Sequence, residues 1–298
     1  MERKGIILAG GTGSRLYPLT HGISKQALPI YNKPLIYYPL SVLMLTGIKD
    51  IAIITNPGEK KIYKKILGNG SKLGIKIRYY IQKKPNGIAE AFKICKNFIK
   101  NLPCSLILGD NIFYGHDLTN IFYKINQDKK NASIISYKVK NPEKFGVVKL
   151  DKKNNVKKIV EKPKKFLSNL CITGLYFFPS GVTKFVNKLK PSKRGELEIV
   201  DLIKIYMKSN SLKNYSFGRG YVWFDTGTHE SMFEASSFVR SIETIQKYHV
   251  GNIHEIAFRN KWISKNKLIS ESVKLKNTTY GNYLLNLIKD FNWSKKLS

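Results

Sequence analysis

Along its first third the chain alternates short unbroken apolar runs with amphipathic stretches. Ile6-Ile7-Leu8 and Ile51-Ala-Ile-Ile-Thr55 are continuous, the pattern of parallel strands covered on both faces. Residues 34–46 predict a helix, opened by Pro34 and closed by Gly47. A basic helix over 59–67, a strand over 75–81 and a helix over 89–102 follow. Ser105-Leu-Ile-Leu-Gly-Asp110 is then a strand ending in an acid. This βα spacing, kept to about Asn111, predicts an α/β fold with a doubly wound, mostly parallel, Rossmann-like sheet. In such a sheet ligands lie beyond the carboxyl ends of the strands.

The middle of the chain reads as a small mixed β insert. Strands are expected over 132–139, 147–150, 156–160 and 171–178, the middle pair joined by the turn Asp151-Lys-Lys-Asn-Asn155. A helix over 198–207 precedes Tyr221-Val-Trp-Phe-Asp225, a second apolar strand ending in an acid. Beyond Gly227 the period becomes helical. Thr228 is a candidate N-cap, with Met232, Ala235, Val239, Ile242 and Ile245 expected on one face. Tyr280, Tyr283, Leu284, Leu287, Ile288 and Phe291 repeat at the spacing of an amphipathic helix. No linker, repeat or low-complexity segment divides the 298 residues, so a single domain is expected.

Composition narrows the class. At 42% hydrophobic and 12% aromatic the chain is globular, and no apolar run is long enough to span a bilayer. Met1-Glu-Arg-Lys leads directly into a strand, so no signal peptide is expected. Cys95, Cys104 and Cys171 lack metal spacing and suit a reducing cytoplasm. A net charge of +32 raises the question of nucleic acid. Yet only seven of the 52 basic residues are arginines, the lysines are scattered over polar faces, and no nucleic-acid motif is present. The expected partners are instead phosphorylated small molecules, drawn in by the positive field.

The candidate chemistry starts at Lys4-Gly-Ile-Ile-Leu-Ala-Gly-Gly-Thr-Gly-Ser-Arg-Leu16. Glycines after a strand let the backbone turn sharply and approach a ligand. Loop N–H groups can then cradle an anion, and the Arg15 fork can hold phosphate oxygens. The spacing matches neither a dinucleotide loop nor a P-loop. Tyr17-Pro-Leu-Thr20, Ser24-Lys-Gln-Ala-Leu-Pro29 and Lys33-Pro-Leu-Ile-Tyr-Tyr-Pro39 follow in succession. Together these blocks resemble the sugar-1-phosphate nucleotidylyltransferases, most closely their glucose-1-phosphate thymidylyltransferase branch. Ser24-Lys-Gln26 and Gly218-Arg-Gly-Tyr-Val-Trp223 favour that branch, and the resemblance runs in blocks to the C-terminus.

The resemblance implies transfer of a thymidylyl group from dTTP to glucose 1-phosphate, with Mg²⁺, by direct in-line attack. It implies a nucleotide-binding half over 1–111, a sugar-binding half over 112–227 and a helical oligomer and regulatory region over 228–298. Asp110 in Leu108-Gly-Asp-Asn-Ile-Phe-Tyr-Gly115 and Asp225 in Trp223-Phe-Asp-Thr-Gly-Thr-His229 match the metal ligands. Arg15, Lys25 and Lys162 match the cations at the reacting phosphates. Leu8, Gly10, Gly11, Thr12, Gly13, Gln26, Gln82, Gly87 and Asp110 match nucleotide-contacting positions, and Asn111, Gly146, Glu161, Lys162, Ile172 and Tyr176 the sugar pocket. Tyr114, Gly115, His116, Arg219, Glu255, Ile256 and Arg259 lie in blocks matching a regulatory pocket between subunits of a homotetramer. Around Val250-Gly-Asn-Ile-His254 the chain departs from the family pattern, with Ile253 in place of a cysteine. Rival readings keep the chemistry with another base or sugar, or make the chain a catalytically silent homologue.

Overall fold

The computed structural model describes residues 2–11 and 13–294, with side chains as far as 289. The chain opens with β1 (Lys4–Ala9), then a small antiparallel ribbon of β2 (Pro29–Ile30) and β3 (Lys33–Pro34). α1 (Tyr37–Leu45), β4 (Asp50–Thr55), α2 (Lys60–Leu67) and β5 (Lys76–Ile81) follow. Pro34 therefore pairs in a ribbon, and the helix expected from it starts at Tyr37. The helix expected over 89–102 is two short ones, α3 (Glu90–Ile94) and α4 (Lys96–Ile99), broken where Cys95 leaves helical geometry.

The chain continues through β6 (Cys104–Leu108), β7 (Asn111–Gly115), α5 (Leu118–Gln127), β8 (Ala132–Lys138), β9 (Gly146–Leu150), β10 (Val156–Glu161) and β11 (Leu170–Phe178). α6 (Val182–Val186), α7 (Ile199–Lys208), β12 (Leu212–Phe217) and β13 (Tyr221–Asp225) complete the second half. The C-terminal region is α8 (His229–Gln246), α9 (Ile253–Arg259), α10 (Lys265–Lys274) and α11 (Thr279–Ser294).

Nine strands form one sheet along the path β10-β9-β11-β6-β1-β4-β5, with β8 paired to β11 and β12 to β8. β1, β4, β5 and β6 are mutually parallel. β11 runs against them, and β8, β9 and β12 return to their direction. Only β10 and β11 oppose the rest, so the sheet is mostly parallel and the mixed strands extend it.

Side-chain alternation explains the continuous apolar runs. Ile7, Ile51, Ile53, Ile107 and Ile135 face one layer, with α1, α5 and the last three helices. Ile6, Leu8, Ile54, Leu106 and Ile134 face the other, with α3, α4, α6 and α7. Both faces are thus dry, and each fully buried Ile or Leu contributes about 1.5–3 kcal/mol. The C-terminal helices join the first layer through Ile253, Ala257, Leu268, Tyr280, Leu284 and Ile288; the side chain of Phe291 lies outside the described residues.

Thr228 caps α8 through a capping box with Ser231. The inward face of α8 runs Met232, Ala235, Val239 and Glu243, while Ile245 is 77% exposed, against expectation. Glu243 replaces an apolar residue there because it receives Lys33 Nζ at 2.6 Å, Asn32 Nδ2 at 2.8 Å and Val250 N at 3.0 Å. One buried carboxylate thus ties the β2–β3 ribbon, α8 and the approach to α9. Among the described residues no helix is long and apolar enough to cross a membrane.

Removing one partner of a buried ion pair leaves the other uncompensated. Glu243→Ala is expected to lower unfolding free energy by about 3–5 kcal/mol in urea titration, and Lys33→Met combined with Glu243→Leu to recover most of it. A single-variant loss no larger than that of an exposed substitution would contradict this account.

Candidate active site

The chain winds from β1 out through β4 to β5 and then crosses back to β6 on the other side of β1. That reversal opens a crevice at the carboxyl ends of β1 and β6. The glycine loop leaves β1 there, and Gly109-Asp110 leaves β6, held beside it by the bond from Gly109 N to Leu8 O at 2.9 Å. Gly11 has φ +140° and Gly13 φ +61°, conformations that a side chain disfavours. Thr12 lies outside the described residues. Gly10, Gly11, Gly13, Arg15, Lys25 and Gln26 border a pocket of about 290 Å³. Asp110 and Arg15 also border a larger cavity of about 930 Å³, so the two form one continuous cleft.

A two-stranded ribbon brings the second acid in. β7 pairs antiparallel with β13 so that Asp225 sits opposite Asn111, and Thr226 donates to Asp110 O through N (3.1 Å) and Oγ1 (2.9 Å). Asn111 is fully buried. Its Oδ1 accepts from Gly174 N (2.9 Å) and Trp223 Nε1 (2.6 Å), while Nδ2 donates to Asp110 Oδ1 (3.0 Å). Asn111 borders the cavity, but this bonding also makes it the peg that aims Asp110.

Lys25 Nζ lies 2.5 Å from Asp110 Oδ2. Burial by itself would raise the Asp110 carboxyl, but the Lys25 charge and bonds from Lys25 and Asn111 outweigh it and hold the group low. Asp225 goes the other way. Burial, then the charge on Asp110, push it up to about 6 against the attraction of Lys25, Arg15 and Lys162. Two carboxylates that resist ionising together, in reach of cations, form a site that a divalent cation would relieve. Among the described residues no group of three or more His, Cys, Asp or Glu gathers as a metal cluster. Mg²⁺, however, is commonly held by one or two carboxylates with substrate phosphates completing its shell, and this pair fits that need.

The cavity is also lined by Gly146, Glu161, Lys162, Ile172 and Tyr176. A Cβ on Gly146 would fall 2.9 Å from Val200 and 3.2 Å from Glu161 Oε2. Lys162 has φ +42°, sparsely populated for a residue with a side chain, and is held by the bond from its N to Phe145 O (3.0 Å). Burial, and after it the charge of Glu198, raises the Glu161 carboxyl. Gln82 is buried beside Gly10 and donates to Glu90 Oε2 at 2.7 Å. Gly87 has φ +102°, and a Cβ there would fall 2.5 Å from Leu197 O. Its glycine is therefore explained by packing, and like Gln82 and Leu8 it lies outside the walls of the smaller pocket.

The seven candidate regulatory residues divide. Tyr114 and Gly115 border a third pocket of about 250 Å³ with Val250 and Gly251, at the end of the β7–β13 ribbon away from Asp110. Glu255 is bound by Arg259 Nε (2.7 Å) and Tyr283 OH (2.6 Å). His116, Arg219, Glu255, Ile256 and Arg259 border none of these three cavities.

Residues 4–242 match the family model described as nucleotidyl transferase. The chain belongs to the nucleotidyl transferase family. It is 49% identical, over 96% of its length and 99% of the relative's, to a glucose-1-phosphate thymidylyltransferase of Neisseria meningitidis. Identity to one from Xanthomonas campestris is 46%, covering 97% and 98% of the two chains. Among solved structures, a putative glucose-1-phosphate thymidylyltransferase from Bacillus anthracis, in complex with a sucrose, superposes with TM-score 0.74. It is 39% identical, covering 80% of this chain and 96% of that one. A UDP-glucose pyrophosphorylase complexed with UDP-glucose gives 0.70 at 27% identity, covering 81% and 99%.

Some residues of the cleft escape sequence reasoning. Arg194 borders the cavity and pairs with Glu198 at 2.8 Å, Glu196 at 3.5 Å and Glu161 at 3.6 Å. Its block, Arg194-Gly-Glu-Leu-Glu198, resembles the family pattern, but no role for Arg194 is legible from it. Gly174, whose Cβ would fall 2.5 Å from Asn111 Oδ1, carries no signal at all in its apolar strand.

The raised Asp225 carboxyl has a sign that can be checked in protein held in a chelator. Between about pH 4 and the folded value near 6 the native state binds more protons than the unfolded chain, so stability falls as pH rises through that window. Above it the ionised group is a liability. Asp225→Asn is expected to raise Tm at pH 7, by a margin that shrinks as the pH is lowered toward 5. An unchanged or lower Tm at pH 7 would refute the electrostatic reading.

Proposed function

We propose that the chain transfers a thymidylyl group from dTTP to α-D-glucose 1-phosphate, giving dTDP-glucose and pyrophosphate. The observation that carries the reading is the meeting of Asp110 and Asp225 in one cleft with Arg15 and Lys162, continuous with the glycine loop. The names of the relatives supply the substrate class.

A phosphate oxygen of the sugar forms a bond to the α-phosphorus while the bond to the bridging oxygen breaks, and pyrophosphate leaves with the electron pair. The attacking oxygen is already ionised, so no general base is required, and positioning with charge neutralisation supplies the catalysis. Arg15 holds the departing pyrophosphate. Lys25 faces the α-phosphate, and Lys162 fixes the sugar phosphate for in-line approach. Asp110 and Asp225 would hold Mg²⁺. When bound, the ion neutralises charge on the phosphoryl oxygens as the bond order shifts.

Gly10, Gly11, Thr12, Gly13, Leu8 and Gln26 cradle the nucleotide, with Gln82 and Gly87 toward the base; a glutamine amide can donate to and accept from a pyrimidine edge. Glu161 accepts from sugar hydroxyls beside Gly146, Ile172, Tyr176 and Asn111. The N-terminal 111 residues carry the nucleotide and residues 112–227 the sugar. The helical remainder forms a homotetramer whose regulatory pocket includes Tyr114 and Gly115. The product feeds deoxysugar and surface polysaccharide synthesis in a reducing cytoplasm, which suits three buried free thiols.

Incubation with glucose 1-phosphate, Mg²⁺ and each nucleoside triphosphate in turn is expected to release pyrophosphate fastest with dTTP, and a chelator to stop it. A preference for UTP would move the chain to the uridylyl branch, and no release with any triphosphate would end the enzymatic reading. Arg15→Ala and Lys162→Ala are each expected to lower turnover about 10²-fold, the scale of losing one transition-state donor; full activity in a folded variant would remove that residue from its role.

A further inference from the structure

Two side chains outside the glycine loop grip its backbone. Asn56 Oδ1 accepts from Gly11 N at 3.0 Å, and Asn56 Nδ2 donates to Gly11 O at 2.8 Å, so one carboxamide holds both polar groups of that residue. Thr20 Oγ1 donates to Gly13 O at 2.8 Å, and a Cβ on Gly13 would fall 3.0 Å from the Thr20 methyl. The grips fall on either side of position 12.

Their placement follows from the sheet. Ala9 pairs with Thr55 in parallel register, so the chain leaves β1 and β4 side by side, and Asn56 emerges beside the loop. Asparagine after a strand is often only a local turn former, and Asn56 does accept Glu59 N at 3.3 Å through its main-chain oxygen. The side chain does something else. Its two bonds reach a partner 45 positions away.

A loop with glycine at three of four positions has wide conformational freedom, and ordering it around a ligand weakens binding. Pins that order it beforehand remove that penalty, which is how preorganisation raises affinity. Gly11 N–H is also committed to Asn56, so the anion must be met by the remaining loop donors and Arg15. We propose that Asn56 and Thr20 are positioning residues that set the glycine loop for the triphosphate. The proposal rests on the nucleotidyl transfer reading for its ligand.

The test uses the full chain with Asn56→Ala, Thr20→Val and the conservative Thr20→Ser. Calorimetry gives Kd for dTTP and for inorganic tripolyphosphate, and steady-state kinetics give both KM values and kcat. Asn56→Ala and Thr20→Val are expected to weaken both ligands about tenfold and to raise KM for dTTP alike. KM for glucose 1-phosphate and kcat should stay within about threefold of the parent, and Thr20→Ser should restore the parent Kd. Unchanged Kd values overturn the proposal. So do equal losses in kcat and both KM values, which mark a general structural defect. If the parent chain binds tripolyphosphate but turns over no triphosphate, the parent reading fails, and the Kd ratios alone decide the role of the pins. If the parent binds neither ligand, both fall.

Discussion

The pairing of β7 with β13 is the contact on which the site depends. β13 ends at Asp225 and β7 begins directly after Asp110, and their register sets Asp225 against Asn111 and beside Asp110. Asn111 locks the arrangement, since its buried carboxamide joins β11 through Gly174, β13 through Trp223 and the Asp110 carboxylate. A buried amide with these bonds made is rigid, and with one unmade it is a penalty of about 1–3 kcal/mol. The crevice between β1 and β6 exists in any sheet wound this way; the ribbon turns it into a place where two carboxylates face several cations.

Charge is distributed to the same end. The chain carries 52 basic residues against 20 acidic ones, and most lysines lie on exposed faces. Yet Asp110, Glu161, Glu196, Glu198, Asp225, Glu230 and Glu234 all border the 930 Å³ cavity. So large a share of scarce carboxylates in one cavity is the reverse of a nucleic-acid surface, where cations would line the contact. A basic exterior can draw in phosphorylated molecules over a distance set by ionic strength, while the carboxylates are gathered inside the cavity. Arg194, shared among three glutamates, and Lys25, seated on Asp110, keep those carboxylates compensated.

Legibility followed locality. The βα alternation, the glycine loop and the Thr228 cap were readable because each depends on a few neighbouring residues and one period. The helix over 89–102 misled because propensity does not show the break at Cys95. Ile245 was placed inward because an apolar residue at near-helical spacing looks like core; the buried position belonged to Glu243, whose partner Lys33 is far away in the chain. β12 and α5 were not singled out: β12 alternates polar and apolar residues at an edge, and α5 is amphipathic but short.

The sequence by itself determined the class of the sheet, the loop beyond its first strand and the two strand-end acids, since strand periodicity and glycine geometry are written in adjacent residues. Only the tertiary structure decided that the acids meet and that Asn111 pegs them. It likewise decided that Asn56 and Thr20 grip the loop, and that Arg194 joins the cavity wall. The reason is physical: those relations are set by register between strands and by burial, which depend on the summed packing of the whole chain and leave no local pattern.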